Sequence, residues 1–273
     1  MEKIMKNQTI GFIGGGNMAT AIIGGLLSSG LSDNKHILAA DQSAPAREKL
    51  AGTFGISTFA DNQAVSSQAD ILFLSVKPNV FPIVIPDIRN ALKEDVLVIS
   101  IAAGQTIAKI EALFEKPVRL IRTMPNTPAL VGASMSAICG NALATQSDLA
   151  LAKELFEGFG EAEIVPEKLM DAVTAVSGSS PAYVYMMIEA MADAAVADGM
   201  PRAQAYKFAA QAVYGSAKMV LETGKHPGEL KDMVCSPGGT TIEAVAVLEK
   251  VGFRSAIIEG QRACTRKSQE MSR

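Results

Sequence analysis

The feature that narrows the fold most is a glycine pattern seated between a strand and a helix. Thr9–Ala19 reads TIGFIGGGNMA: the apolar run Ile10 to Ile13 meets Gly14-x-Gly16-x-x-Ala19, and an apolar helix follows to about Gly30. Each small residue has its own duty. Gly14 permits a tight turn, Gly16 clears room for a pyrophosphate, and Ala19 lets helix pack on strand. A second strand, HILAAD, ends in Asp41. A bare glycine triplet also occurs as a structural turn; the flanking strands and helix select nucleotide binding.

Strand-like and helix-like segments alternate over the first 165 or so residues, the signature of a parallel sheet with covering helices. Strands are expected at 9–14, 36–41, 55–58, 70–76, 95–101, 118–123, 134–139 and 162–165. Helices fill most of the gaps, notably 17–29, 44–53, 106–115 and 147–158. Asp70–Val76 (DILFLSV) and Asp95–Ile101 (DVLVISI) are continuous apolar runs, as strands buried on both faces require. Ligands of such sheets sit at the carboxyl ends of the strands. Three turn-rich segments there are candidate cleft walls: Lys77-Pro78-Asn79, Ala102-Ala103-Gly104 and Met124-Pro125-Asn126-Thr127-Pro128.

After residue 166 the strand signals stop. Ser180-Pro181 opens a helix that runs to Gly199, and Pro201 opens another that runs to about Gly224, each with proline at its start and glycine past its end. The first carries only Glu189, Asp193 and Asp198 as charges among Tyr, Met and Ala. A helix apolar nearly all round must be buried. About a hundred residues bury it poorly alone, which points to a subunit interface; the other reading is the central helix of a monomeric bundle. The expected organisation is an α/β domain with a mainly parallel sheet over 1–166 and an all-α domain over 167–273. The tail after Gly260 is polar and expected to fray.

Within the helical part, Ser236–Lys250 reads SPGGTTIEAVAVLEK. Ser236 suits a helix cap and Pro237 a first turn. Gly238 and Gly239 let a ligand approach the backbone, so free amides would face an anion at the helix's positive end. Thr240 and Thr241 add hydroxyls. The alternative is an ordinary capped turn.

Composition removes several classes of function. A net charge of −3 with no basic run argues against nucleic acid and anionic membranes as partners. No apolar stretch approaches the ~20 residues of a membrane helix, and MEKIMKNQTI has no apolar signal core. Cys139, Cys235 and Cys264 lie far apart without CxxC spacing, so a reducing, cytoplasmic setting is expected. His36 and His226 are the only histidines, which argues against a His-based metal site or a catalytic triad; no metal is expected.

With these motifs placed, the chain resembles the pyrroline-5-carboxylate reductase family over essentially its whole length. The resemblance rests on IGFIGGGNMA, SVKP, SIAAG, RTMPNTPALV, VSGSSPAY and HPGELKDMVCSPGGTTIEAV, in that order. It implies a Rossmann-like domain, a helical dimerisation domain, a homodimer through the C-terminal helices, and assembly of dimers into a larger homo-oligomer. It also implies hydride transfer from NADPH or NADH to a cyclic imino acid.

The residues suit that chemistry. A helix start at Gly238–Thr241 would take the ring carboxylate and leave a threonine hydroxyl beside the nitrogen. By the family pattern Thr241 bonds that nitrogen, while Ser236, Gly239 and Thr240 hold the carboxylate. An iminium is already electrophilic and can take its proton from water, so SPGGTT needs no strong acid. The resemblance further implies that Gly14, Gly15, Gly16, Asn17 and Met18 form the pyrophosphate loop. It puts Val76, Lys77 and Pro78 beside the nicotinamide ribose, Ala102 at the next strand end, and Asn62 on the adenosine side. Glu167 matches a position near the substrate pocket, supplied by the partner subunit, or it is a solvated glutamate in a helix's first turn. Lys77 reads equally as a surface lysine. Cys235 reads as a small hydrophobe and His226 as the entry to a helix at HPG.

Asp41 departs from the family's frequent serine, threonine or arginine. An acid ending the second strand accepts bonds from a ribose 2′-hydroxyl and repels a 2′-phosphate, which favours NADH. Ser43 and Arg47 could still accommodate that phosphate, so both cofactors stay open. Two rivals stand beside this reading. A β-hydroxyacid dehydrogenase needs a lysine base on its central helix, and none lies between Leu169 and Tyr206. A non-catalytic dinucleotide sensor has little reason to keep an anion-ready SPGGTT loop, and that reading stays open beside the enzyme.

Overall fold

The structure is a computed structural model, and it describes residues 8–272. It separates into two compact units: one runs through Ser179 and takes in the chain from Cys264 onward, the other is Ser180–Ala263.

The first unit is built on eight strands: β1 (Ile10–Ile13), β2 (Ile37–Ala40), β3 (Ser57–Phe59), β4 (Ile71–Leu74), β5 (Leu97–Ser100), β6 (Arg119–Met124), β7 (Ser134–Gly140) and β8 (Gly160–Ile164). They lie in the order β3-β2-β1-β4-β5-β6-β7-β8, with β6 and β7 antiparallel and every other neighbouring pair parallel. Its helices are α1 (Asn17–Ser28), α2 (Ala44–Phe54), α3 (Asn62–Ser66), α4 (Phe81–Ile88), α5 (Ile107–Phe114), α6 (Gln146–Glu157) and the single turn α7 (Met170–Val173).

Strand periodicity explains why the runs are apolar throughout. Successive residues point to opposite faces, and both faces are covered here. Phe12, Phe73, Ile99 and Ile121 join one core with Ile23 and Leu26 of α1 and Phe156 of α6. Their neighbours Ile13, Leu72, Val98 and Leu120 join a second core with Phe81 and Ile85 of α4 and Phe114 of α5. The register pairs Phe12 with Phe73, and their rings stack with centroids 4.7 Å apart. Burying each such ring contributes about 1.5–3 kcal/mol.

Side chains cap most of the connecting helices. Ser43 caps α2, Asp61 caps α3, Thr106 caps α5, and Thr145 with Asp148 forms a capping box on α6. Helix α1 follows Gly16 as its N-cap, with no side-chain cap.

The second unit contains α8 (Ser180–Ala197), α9 (Arg202–Thr223), α10 (Pro227–Val234), α11 (Thr240–Lys250) and the first part of α12 (Phe253–Ser272). Only Ala192, Ala205 and Ala209 of this unit are buried.

Two expectations need correction. The tail after Gly260 does not fray: α12 is continuous to Ser272. Ser268 is buried and donates to Asp171 at 2.6 Å, Ser272 donates to the same carboxylate at 3.3 Å, and Cys264 reaches Ser179 at 3.2 Å. These residues recur every four positions, so a polar sequence still presents one bonding stripe. Residues 167–179 pack in the first unit, where Met170 enters the second core and Asp171 holds α12. In addition, Ser236 does not cap a helix and Pro237 lies outside α11, because Ser236–Gly239 closes a tight turn ahead of it.

Candidate active site

The sheet's strand order reverses between β1 and β4, since the chain proceeds β1-β2-β3 to one side and β4-β5-β6 to the other. A crevice opens outside the strand ends at such a switch point. There Gly14 takes φ +101°, and its amide donates to Ala40 O at 2.7 Å. A Cβ on Gly14 would stand 2.8 Å from Ser75 O and from Val76 Cγ1. Ser75, which carried no assignment from sequence, pins the loop: its hydroxyl donates to Ile13 O at 2.9 Å and Gly14 O at 2.7 Å.

Gly15 is buried and spends its amide on Asp41 Oδ2 at 2.7 Å, so it positions the acid. Gly16 and Asn17 are exposed and Met18 is half-buried. A Cβ on Gly16 would meet nothing within 4 Å. With no side chain capping α1, its first amides are left for an anion on the helix's positive end. The loop therefore fits a dinucleotide's pyrophosphate.

The other expected cofactor residues fall on neighbouring strand ends. Val76 is half-buried against Gly14, Lys77 is exposed, and Pro78 opens a 3₁₀ turn. Ala102 is buried in the turn after β5, its amide 3.4 Å from Ser100 Oγ. Asn62 is also buried, and its amide group donates to Asp87 at 3.4 Å, so its side chain is engaged inside the fold.

Glu167 has a role that neither sequence reading named. Its Oε1 accepts from Arg122 at 2.9 Å and from the Ile107 amide, first in α5, at 2.8 Å. Arg122 lies on β6 and is 4% exposed. The pair spans 45 positions, which no local pattern reveals. A buried guanidinium without its counter-charge is costly, about 3–5 kcal/mol for a fully buried pair. Because the glutamate side chain is 36% exposed, Glu167→Gln is expected to cost about 2–3 kcal/mol. Urea unfolding checks this, and an unchanged midpoint would remove the counter-ion role.

Cys139 sits beside this pair on β7. Burial and the Glu167 charge push its thiol up to about 12, against the opposing pull of Arg122. It stays protonated at neutral pH and is no nucleophile. Asn126 reads from sequence only as part of the candidate cleft wall Met124–Pro128. It is buried, donates to Ser177 O at 3.0 Å and accepts from Ser134 and from the Met135 amide. It thereby ties the MPNTP loop to the π-helical turn Thr174–Gly178.

In the helical unit, His226 caps α10, its ring accepting from the Gly228 amide at 3.1 Å, as HPG suggests. Beyond half-buried Cys235 comes a tight turn in which Gly239 N donates to Ser236 O at 3.1 Å. Gly238 at its third position has φ +64°. Proline then glycine at the centre is the pattern of a type II turn, and it removes Ser236 and Pro237 from the helix. The turn is tight enough that a Cβ on Gly239 would lie 2.4 Å from Ser236 Oγ. Helix α11 starts at Thr240 with Gly239 as its uncapped N-cap. The hydroxyls of Thr240 and Thr241 bond no other described residue. The segment presents unclaimed amides and two unclaimed hydroxyls on one helix end. Among the described residues, no cluster of three or more His, Cys, Asp or Glu side chains could hold a metal, and no helix is long and apolar enough to cross a membrane.

Switch-point crevice, uncapped glycine helix and helical companion unit define a nucleotide-dependent oxidoreductase of the doubly wound class. Residues 9–104 match a family described as NADP oxidoreductase coenzyme F420-dependent, and residues 167–271 match pyrroline-5-carboxylate reductase dimerisation. A pyrroline-5-carboxylate reductase of Escherichia coli (strain K12) is 54% identical, covering 97% of this chain and 99% of its own. Two solved structures superpose closely. One is a pyrroline-5-carboxylate reductase from Coxiella burnetii, with TM-score 0.91, 34% identity, and coverage of 98% and 100% of the two chains. The other is a Plasmodium falciparum pyrroline carboxylate reductase with NADP bound, with TM-score 0.90, 30% identity and the same coverage. The chain belongs to the pyrroline-5-carboxylate reductase family.

Proposed function

We propose that the chain reduces 1-pyrroline-5-carboxylate to proline with NAD(P)H. The observation that carries this reading is the unclaimed helix end of α11 behind its Ser236–Gly239 turn. In this reading the amides of the turn and of α11's first residues take the ring carboxylate, helped by the Ser236 and Thr240 hydroxyls. Thr241 Oγ1 bonds the ring nitrogen and orients the imine carbon. A bound reduced nicotinamide supplies the hydride. Gly14, Gly16, Asn17 and Met18 hold its pyrophosphate, with Val76, Lys77, Pro78 and Ala102 along the strand ends and Asn62 towards the adenosine. Gly15 contributes through Asp41. Glu167 serves the site by fixing Arg122 and the start of α5. Placement of the reacting groups, more than acid catalysis, then supplies the rate.

The chain is a homo-oligomer in this reading, paired through its C-terminal helices and built from dimers into a larger assembly. What supports pairing is exposure: Met186, Phe208, Tyr214 and Leu221 are 68%, 66%, 60% and 81% exposed in a unit that buries three alanines. Apolar surface on that scale marks an interaction face. A cytoplasmic setting suits three free cysteines.

Mixing the full-length protein with pyrroline-5-carboxylate and NADPH or NADH is expected to consume the nicotinamide and yield proline. Oxidation of neither cofactor would refute the activity, and sedimentation as a monomer in the same preparation would refute the pairing.

A further inference from the structure

We infer that Asp41 makes this chain an NADH-preferring member of its family, its carboxylate standing where NADPH would bring a 2′-phosphate; this rests on the functional reading above. Sequence left both cofactors open because Ser43 and Arg47 follow the acid. Both neighbours are tied into the β2–α2 turn. Ser43 Oγ accepts from the Ala46 amide at 3.4 Å as the cap of α2. Arg47 directs Nη1 to two main-chain carbonyls, Asp41 O at 2.7 Å and Gln42 O at 3.1 Å, so it braces the β2–α2 turn without forming an ion pair with the acid.

The carboxylate itself is fixed on two sides. Oδ2 accepts from the Gly15 amide at 2.7 Å, and Oδ1 accepts from the Ser43 amide at 2.8 Å. Among the described residues no cation pairs with it. Held by the glycine loop, it cannot swing away without giving up an amide bond at the loop that holds the pyrophosphate. A ribose 2′-hydroxyl can donate to such an acid. A phosphate dianion cannot donate, and it meets a like charge at close range. The Plasmodium falciparum relative was solved with NADP bound, so the preference belongs to this chain's own β2 end and not to the fold.

Binding is the decisive measurement, read by nicotinamide fluorescence without any imine present. The wild-type chain is expected to bind NADH roughly ten-fold or more tightly than NADPH, with a gap that narrows as salt is added. Asp41→Asn keeps an acceptor for the Gly15 amide and removes the charge, so it should bring the two affinities within about three-fold of each other. Asp41→Ser should favour NADPH. NADPH bound as tightly as NADH by the wild-type protein, or an unchanged ratio in Asp41→Asn, would overturn the inference while leaving the reductase reading intact. Binding of neither cofactor would overturn both.

Discussion

Thr241→Ala is expected to lower kcat/KM for the imine about ten-fold or more, the ~1–3 kcal/mol of one lost hydrogen bond. Thr241 is the second residue of α11 and half-buried, and its hydroxyl bonds nothing else in the described chain. Removing it therefore breaks no internal hydrogen bond, and the thermal midpoint should barely move. Thr241→Ser, which restores a donor at the same site, should recover most of the rate. Thr240→Ala, acting on the carboxylate instead, should raise KM more than it lowers kcat. A Thr241→Ala enzyme as fast as the parent would show that the nitrogen is held elsewhere.

The second large effect separates two glycines of one loop. Gly14→Ala forces a side chain into φ +101° and within 2.8 Å of Ser75 O, where β1 and β4 part. The backbone conformation alone costs roughly 1–3 kcal/mol, and the contact with a main-chain carbonyl adds to it. Both stability and nucleotide affinity should fall. Gly16→Ala is the contrasting case, since its φ of −72° suits alanine and its Cβ would point into open space. Its fold should keep the parental midpoint while nucleotide affinity drops about ten-fold or more, the methyl standing where the pyrophosphate must approach. Equal losses of stability in both variants would mean that Gly16 serves the fold and not a ligand.

Local physics made much of this legible in advance. All eight strands overlap the segments expected for them, and β1, β2, β4 and β5 are apolar throughout because they are buried on both faces. The glycine loop was readable because the tight turn after β1 needs a positive φ at Gly14, a local demand, although the Ser75 carbonyl that also excludes a side chain there lies 61 positions away. The capped starts of α2, α3, α5 and α6 carry their own donors and acceptors. By contrast, SPGG is compatible with a helix's first turn and with a type II turn, and the left-handed φ of Gly238, +64°, is what distinguishes them. The polar tail looked unable to hold a helix because its partner, Asp171, lies 97 positions from Ser268.

By itself, then, the sequence determined the alternation of elements, the glycine loop at a strand end, and the chemistry that SPGGTT makes available. Those properties rest on sterics and periodicity within one turn or one strand. Tertiary structure decided which acid serves which cation, as with Glu167 and Arg122, and which neighbours of Asp41 are already bonded. It did so because a charge or a hydroxyl is defined by what lies within about 3 Å of it, and the folded chain brings those groups together from distant positions.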